Sequence, residues 1–155
     1  MTQSDQILNG RPVSLRAATS SDLGAIRLLL AELLLPEAGL AEWWPHFTVA
    51  ESEGAIVGLA GVERYADGVL LRSVGVHPSW RGSGLGRVLV DTVLRKARGD
   101  GSQHAYLLTT TAEQYFPRLG FSVIPRTAVP ASVQSSIEFR EACPASAVVM
   151  HRTLA

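Results

Sequence analysis

A glycine-rich segment in the middle of the chain is the strongest candidate for chemistry. Residues 74–86 read Val-Gly-Val-His-Pro-Ser-Trp-Arg-Gly-Ser-Gly-Leu-Gly, so a strand-like run leads through a turn into a predicted helix. Gly82, Gly84 and Gly86 would let backbone N–H groups approach an anion closely, and the helix N-terminus would add partial positive charge. Arg81 can bind a phosphate through two hydrogen bonds. The segment predicts a phosphate-binding loop, with a purely structural glycine-rich turn as the alternative.

The spacing disfavours two other phosphate-binding loops. The glycines follow a G-x-G-x-G pattern, and no acidic residue follows at the distance typical of a dinucleotide-binding fold. A Walker-type loop would end in Lys followed by Ser or Thr, and this segment lacks that ending.

The elements that would position this loop are those of a mixed α/β sheet layered with helices. Alternating apolar residues predict strands, and apolar residues at helical spacing predict helices. The predicted strands are 13–17, 47–51, 55–65, 69–77, 105–108, one opening at 120–121, and 147–154; the predicted helices are 20–35, 84–98, 112–119 and 130–140. Thr19 and Asp22 predict a capping-box start for the first helix, and 40–45 predicts a loop or short helix. Residues 1–12 lack periodicity and predict a flexible N-terminal arm before a single domain over 13–155.

Length and composition restrict the class of protein. The 155 residues are 46% hydrophobic, which is enough for one domain with its own core. Lys and Arg together number 14, and Asp and Glu together also number 14, so the formal net charge is zero. This balance argues against a nucleic-acid partner, because a nucleic-acid-binding protein needs a basic face. The single Cys143 excludes an internal disulfide, and the four histidines lack metal-ligand spacing, so we expect no metal. The polar N-terminus and the absence of a long apolar run predict a cytoplasmic protein without a membrane partner.

The loop and its flanks resemble the signature of the GNAT superfamily of N-acetyltransferases. That signature, Arg/Gln-x-x-Gly-x-Gly/Ala, stands here at 81–86, and further typical segments surround it at 74–78 and 116–121. The resemblance implies a splayed central sheet flanked by helices, with acetyl-CoA as acetyl donor. It also implies that the CoA pyrophosphate binds the loop backbone and that the pantetheine arm bonds the backbone of the preceding strand. The cofactor-binding residues implied are Val74, Val76, Arg81, Gly82, Ser83, Gly84, Leu85, Gly86 and Phe116.

The C-terminal half is similar to the arsenic-resistance N-acetyltransferase family. The similarity rests on residues 107–112, 138–139 and 143–147, together with 63–65 and 70–73. The same C-terminal signature is similar to the acetyltransferase domain of short N-acetylglutamate synthases. Both resemblances imply a small amino-acid-like amine as acceptor rather than a protein.

Two charged residues in neighbouring predicted strands are candidates for the transfer step. Glu63 lies among apolar residues, where a carboxylate can accept the ammonium proton of the acceptor as general base. Arg72 also lies among apolar residues and can bind an acidic group through two hydrogen bonds. We therefore predict an acceptor with both an amine and an acidic group. The alternative is structural: an ion pair of Glu63 with Arg72, Arg64 or Arg118.

The remaining candidates concern the oxyanion, the leaving thiolate and the acceptor pocket. The backbone N–H of Val74 is suited to the developing oxyanion. Many GNAT enzymes carry a Tyr at the position of Phe116 as general acid, and this chain departs from that pattern. Either Tyr115 replaces it from a shifted position or the thiolate leaves without side-chain assistance, which we favour. Besides Arg72, the predicted acceptor-binding residues are Trp43, Ser73 and Thr109. An ordinary hydrophobic contact is the alternative for Trp43.

Together these residues predict a small-molecule N-acetyltransferase that uses acetyl-CoA in a direct ternary complex. Resistance to arsenic or to toxic amino-acid analogues is one role that the resemblance suggests. The alternative enzyme is N-acetylglutamate synthase, and the alternative of another class is a non-catalytic acyl-CoA-binding sensor. CoA release with a panel of amino acids would distinguish them. A homodimer is compatible with the sequence.

Overall fold

Eight β-strands and four α-helices form within residues 3–142 and 145–154, which the computed structural model describes. The strands are β1 Ser4–Leu8, β2 Arg11–Ala17, β3 Phe47–Ser52, β4 Ala55–Tyr65, β5 Gly68–Val76, β6 His104–Thr109, β7 Ser122–Val123 and β8 Val148–Thr153. The helices are α1 Leu23–Glu32, α2 Leu40–Trp43, α3 Leu85–Gly99 and α4 Ala131–Gln134. Cys143 lies outside the described residues.

The strands form a sheet in the order β1-β2-β3-β4-β5-β6-β8-β7. The pairs β1/β2, β2/β3, β3/β4, β6/β8 and β7/β8 are antiparallel, whereas β5 and β6 are parallel. Parallel strands need a long crossover connection, and α3 supplies it. This arrangement confirms the predicted mixed α/β class.

The chain divides into two compact units. The first contains the chain up to Val62 together with Ser73–Val93, and the second contains Glu63–Arg72 together with the chain from Leu94 onward. Each unit has its own apolar cluster and its own share of the predicted site residues.

In the first unit, α1 buries its apolar side in a hydrophobic cluster. The helix begins after a capping box in which the Thr19 N–H donates to Asp22 Oδ2 at 2.7 Å, as the sequence predicts. Phe47 lies opposite Gly61 across β3 and β4, and a Cβ at Gly61 would lie 2.2 Å from the Phe47 ring. The buried members of the cluster are Ala18, Ile26, Leu29, Leu30, Leu40, Phe47, Val49 and Leu59.

The N-terminal segment corrects the prediction of a flexible arm over 1–12. Ser4–Leu8 forms β1 and pairs with β2 as a hairpin. Asn9 and Gly10 connect the strands with φ of 52° and 76°, as a two-residue hairpin turn requires. The sequence of β1 gives only weak alternation because the strand is largely exposed and polar, and the local signal for this hairpin is its Asn-Gly turn.

In the second unit, the segment that contains Val129 and Val133 packs against β5, β6 and β8. The buried members of this cluster are Leu70, Tyr106, Val129, Val133 and Val149. The helix predicted over 130–140 is interrupted: α4 is short, and a π-helical turn covers Glu138–Ala142. Ser135 Oγ donates to the Ser132 carbonyl at 2.6 Å, and such local bonds compete with helical pairing.

Candidate active site

The glycine-rich loop lies in the first unit, between a 3-10 turn at Pro78–Trp80 and the start of α3. Gly82 and Gly84 have φ of 77° and 87°, and a Cβ at either would meet no atom within 4 Å. Backbone conformation rather than crowding therefore requires glycine here. An open loop that leads into a helix of 15 residues has the geometry of an anion site.

Four other loop residues contribute in different ways. Arg81 is exposed, so its guanidinium is accessible to an anion. Ser83 Oγ donates to the Trp80 carbonyl at 2.5 Å and accepts the Leu85 N–H at 3.2 Å. The Ser83 side chain thus fixes the turn into α3. Leu85 is fully buried, which leaves only its backbone to face a ligand, and Gly86 lies in the first turn of α3.

The strand before the loop has an irregularity at Ser73. Its φ is 57°, and the residue is buried. A left-handed φ is uncommon for a non-glycine residue and costs on the order of 1–3 kcal/mol. Such strain is concentrated at functional sites. Val74 and Val76, which follow it, are half-buried, and a Cβ on Gly75 between them would lie 2.4 Å from Leu33 Cδ1.

Glu63 and Arg72 form a buried ion pair in the second unit. Arg72 Nη1 lies 2.8 Å from Glu63 Oε2, and neither side chain has exposed surface. Glu63 Oε1 accepts hydrogen bonds from the Tyr65 hydroxyl and, at 2.6 Å, from Ser136 Oγ. Both carboxylate oxygens are therefore engaged, and the ion pair that the sequence left as an alternative is present.

A second carboxylate joins this pair. Glu138 Oε2 lies 3.6 Å from Arg72 Nε, and the Glu138 N–H donates to Ser136 Oγ at 3.1 Å. Burial raises the pKa of Glu138 to about 7; the charge of Arg72 opposes this shift and that of Glu63 adds to it. Sequence reasoning assigned no role to Tyr65, Ser136 or Glu138. Strand alternation places Tyr65 beside Glu63, but no local signal connects Ser136 or Glu138 to Glu63.

The remaining predicted side chains are Thr109, Tyr115, Phe116 and Trp43. Thr109 is buried, and its Oγ1 accepts the Ala112 N–H at 2.9 Å, so it holds the turn after β6. The Tyr115 and Phe116 rings meet edge to face at 5.3 Å, and Phe116 is buried. In the first unit, Trp43 is half-buried and packs against the cluster around α1. This is the ordinary hydrophobic contact that the sequence offered as the alternative to acceptor binding.

Two negative findings concern only the part of the chain that the structure describes. Residues 3–142 and 145–154 contain no group of three or more His, Cys, Asp or Glu side chains that could hold a metal ion. Among the same residues, no helix is long and apolar enough to cross a membrane.

Comparison with known families decides the class. A profile described as "Acetyltransferase (GNAT) domain" matches residues 43–123, more than half of the chain. The chain belongs to the GNAT acetyltransferase family.

Two relatives of this GNAT chain are amino-acid acetyltransferases. The enzyme of Mycobacterium tuberculosis is 36% identical over 133 residues, which cover 79% of this chain and 75% of the relative. That of Vibrio vulnificus strain CMCP6 is 25% identical over 146 residues, which cover 87% of this chain and 32% of the relative. The chain therefore spans about a third of that longer enzyme.

Two solved structures share the fold of this GNAT chain. N-acetylglutamate synthase from Neisseria gonorrhoeae, complexed with coenzyme A and N-acetyl-glutamate, has a TM-score of 0.79 at 24% identity, over 92% of this chain and 35% of that one. Rv2747 from Mycobacterium tuberculosis, in complex with CoA and NLQ, has a TM-score of 0.77 at 28% identity, over 91% and 99%. With the family match, these findings make the protein an acetyl-CoA-dependent N-acetyltransferase.

Proposed function

We propose that this GNAT enzyme acetylates the α-amino group of a small amino acid with an acidic side chain, glutamate being the first candidate. One observation carries the proposal: 36% identity to an amino-acid acetyltransferase over 79% of the chain. The homodimer, the cytoplasmic location, the single domain and a role in arsenic resistance remain predictions from the sequence.

Acetyl-CoA is a substrate in this reaction, and the chain must hold it beside the free amine. In our proposal, the loop backbone from Gly82 to Gly86 and the Arg81 side chain bind the pyrophosphate. The backbone at Val74 and Val76 bonds the pantetheine arm. Positioning two reactants in this way removes much of the entropic cost of their encounter.

In the chemical step, the amine attacks the thioester carbonyl, and negative charge develops on its oxygen. We assign the Val74 N–H as the donor to that oxygen. The left-handed φ of Ser73 supports this assignment, because it breaks the regular strand geometry immediately before Val74. As the C–N bond forms and the C–S bond breaks, the attacking amine loses a proton to water. The thiolate leaves without a side-chain acid in this scheme and can take up a proton from water, since Phe116 has no ionisable group and a thiol is already a modest acid.

For Glu63, the contacts favour a positioning role over that of a general base. Both of its oxygens accept hydrogen bonds, and its side chain has no exposed surface. To accept a proton from the acceptor, the carboxylate would have to give up one of these donors. The ion pair instead fixes the end of β4 and the first half of β5.

Arg72 has two competing roles in the proposal. As the partner of the acceptor's acidic group, it would have to exchange a protein carboxylate for that of the ligand. The contact with Glu138 at 3.6 Å is longer than that with Glu63 at 2.8 Å, so Glu138 is the carboxylate to be exchanged. As a purely structural partner of Glu63, Arg72 needs no rearrangement.

The test is CoA release with glutamate, aspartate, glutamine, alanine and simple amines. We expect kcat/KM for glutamate to exceed that for amines without an acidic group by at least about tenfold, the value of one charge-assisted contact. Equal rates with simple amines would refute the acidic acceptor. Tight CoA binding without release by any amine would instead support the sensor.

The same assay separates the two roles of Arg72. If it binds the acceptor, Arg72→Ala raises KM for the amino acid and leaves KM for acetyl-CoA unchanged. Arg72→Lys then restores only part of the loss, because an ammonium cannot make the two-pronged contact. A structural role predicts a lower Tm and similar damage toward both substrates.

A further inference from the structure

We propose that Arg11 is a positioning residue for the CoA-binding loop. Arg11 begins β2, in the N-terminal hairpin. Its Nη1 donates to the Ser79 carbonyl at 2.8 Å, and its Cζ lies 3.9 Å from the centroid of the Trp80 ring. One side chain thus contacts the two residues that immediately precede the loop. The proposal rests on the assignment of residues 81–86 to the CoA pyrophosphate.

Trp80 anchors the start of the loop through its backbone carbonyl. Its carbonyl accepts hydrogen bonds from Ser83 Oγ at 2.5 Å and from the Ser83 N–H at 3.2 Å. Ser83 Oγ in turn accepts the Leu85 N–H at the start of α3. A continuous chain of contacts therefore runs from Arg11 through Trp80 and Ser83 to the first residue of the helix.

The Trp80 ring depends on its neighbours for orientation. The residue is 1% exposed, and its indole Nε1 has no hydrogen-bond partner among the described residues. A buried indole usually has such a partner, so here packing and the Arg11 cation over the ring face must hold the ring. The planar guanidinium is suited to both contacts, because it stacks on the ring while an edge N–H donates to the carbonyl.

The expected effect of losing Arg11 is weaker binding of CoA without a change in the chemical step. Arg11 is bonded to the base of the loop rather than to the segment that would face the pyrophosphate. Without it, the loop must be ordered when CoA binds, and that ordering lowers the affinity. We expect the Kd of CoA and the KM of acetyl-CoA to rise about three- to tenfold, with kcat and the KM of the acceptor within about twofold of wild type.

The experiment compares Arg11→Ala and Arg11→Lys with Arg95→Ala, a control at an exposed arginine of α3. Calorimetry gives the Kd of CoA, and thermal denaturation reports folding. Lys keeps the cation but not the planar stack, so Arg11→Lys should recover only part of the affinity. Arg95→Ala should bind CoA like wild type.

A spectroscopic readout distinguishes positioning from general destabilisation. In a Trp43→Phe/Trp44→Phe background, Trp80 is the only tryptophan, and Arg11→Ala should change its emission while Tm stays within about 2 °C of the parent, a small shift for a domain of this size. Unchanged CoA affinity in a folded Arg11→Ala variant would overturn the proposal, as would a lowered Tm with equal loss toward both substrates. Gly84→Asp tests the loop assignment separately: retained CoA affinity there would overturn that assignment and this proposal with it.

Discussion

Glu63, Arg72 and Glu138 form a cluster in which two carboxylates share one guanidinium out of contact with water. If all three were ionised, the cluster would carry a net negative charge in a setting where an uncompensated charge is costly. A proton on Glu138 removes that charge, in agreement with its raised pKa. The cluster is therefore closest to neutral when Glu138 is protonated.

Replacing Glu63 tests its role directly. We expect Glu63→Gln to lower the free energy of unfolding by about 1–3 kcal/mol, because Arg72 loses its closest counter-charge while a hydrogen-bond acceptor remains. Urea denaturation measures this change, and kcat/KM against pH measures catalysis. A loss of 10²–10⁴ in kcat/KM that high pH partly restores, in a variant of normal stability, would instead identify Glu63 as the general base.

Glu138 should make stability depend on pH. The native state holds its proton up to a pKa of about 7, whereas the unfolded chain releases it near its ordinary value of about 4.3. Between these values the native state binds more protons, so this contribution to stability is present at low pH and is lost as pH rises.

The matched variants Glu138→Gln and Glu113→Gln isolate this term, since Glu113 is exposed. Relative to wild type, Glu138→Gln should gain about 1–3 kcal/mol of unfolding free energy between pH 5 and pH 8, as expected from 1.36 kcal/mol per unit of pKa shift. Urea titrations at both pH values measure the difference. If the unfolding free energies of Glu138→Gln and Glu113→Gln changed equally between the two pH values, the native state would not hold a proton on Glu138.

At the scale of elements, the pairing of β3 with β4 depends on one glycine. Gly61→Ala would place a methyl group 2.2 Å from the buried Phe47 ring, which cannot move without disturbing the cluster around α1. We expect a loss of about 1–3 kcal/mol in urea denaturation. Gly24→Ala in α1, where a Cβ meets no atom within 4 Å, should be neutral or stabilising. Similar losses in both variants would mean that crowding at Gly61 is not the cause.

Elements with strong local signals were predictable, and their boundaries are close to those observed. The helix predicted over 84–98 is α3 at Leu85–Gly99, and the strand predicted over 55–65 is β4 at Ala55–Tyr65. The hairpin of β1 was missed because an exposed strand shows little alternation. Ser136 lies more than 70 residues from its partner Glu63 along the chain, and Glu138 lies more than 60 residues from its partner Arg72. Only tertiary packing brings these side chains together.

At the scale of the whole molecule, three elements contribute to both compact units. The division falls within β4, β5 and α3, so each unit contains part of each of these three elements. The three tryptophans all lie in the first unit and the three tyrosines all lie in the second. Intrinsic fluorescence can therefore follow the two units separately.

We expect both units to unfold in one transition, because neither can lose its strands without disrupting an element of the other. Tryptophan emission and near-ultraviolet tyrosine dichroism should give the same midpoint in a urea titration. The Trp43→Phe/Trp44→Phe variant repeats the test with Trp80 alone. Midpoints separated beyond experimental error would contradict the single-domain prediction for residues 13–155.

Because a side chain at Gly82 or Gly84 would enter open space, these positions restrict the chirality of the residue rather than its size. Both residues have φ near +80°, where an L-residue is strained and its mirror image is relaxed. A semisynthetic enzyme with D-alanine at Gly82 should therefore keep its CoA affinity, whereas the L-alanine variant should lose affinity although its methyl group has the same volume. The two stereoisomers would show that the handedness of the backbone, and not the missing side chain, is what this loop requires of glycine.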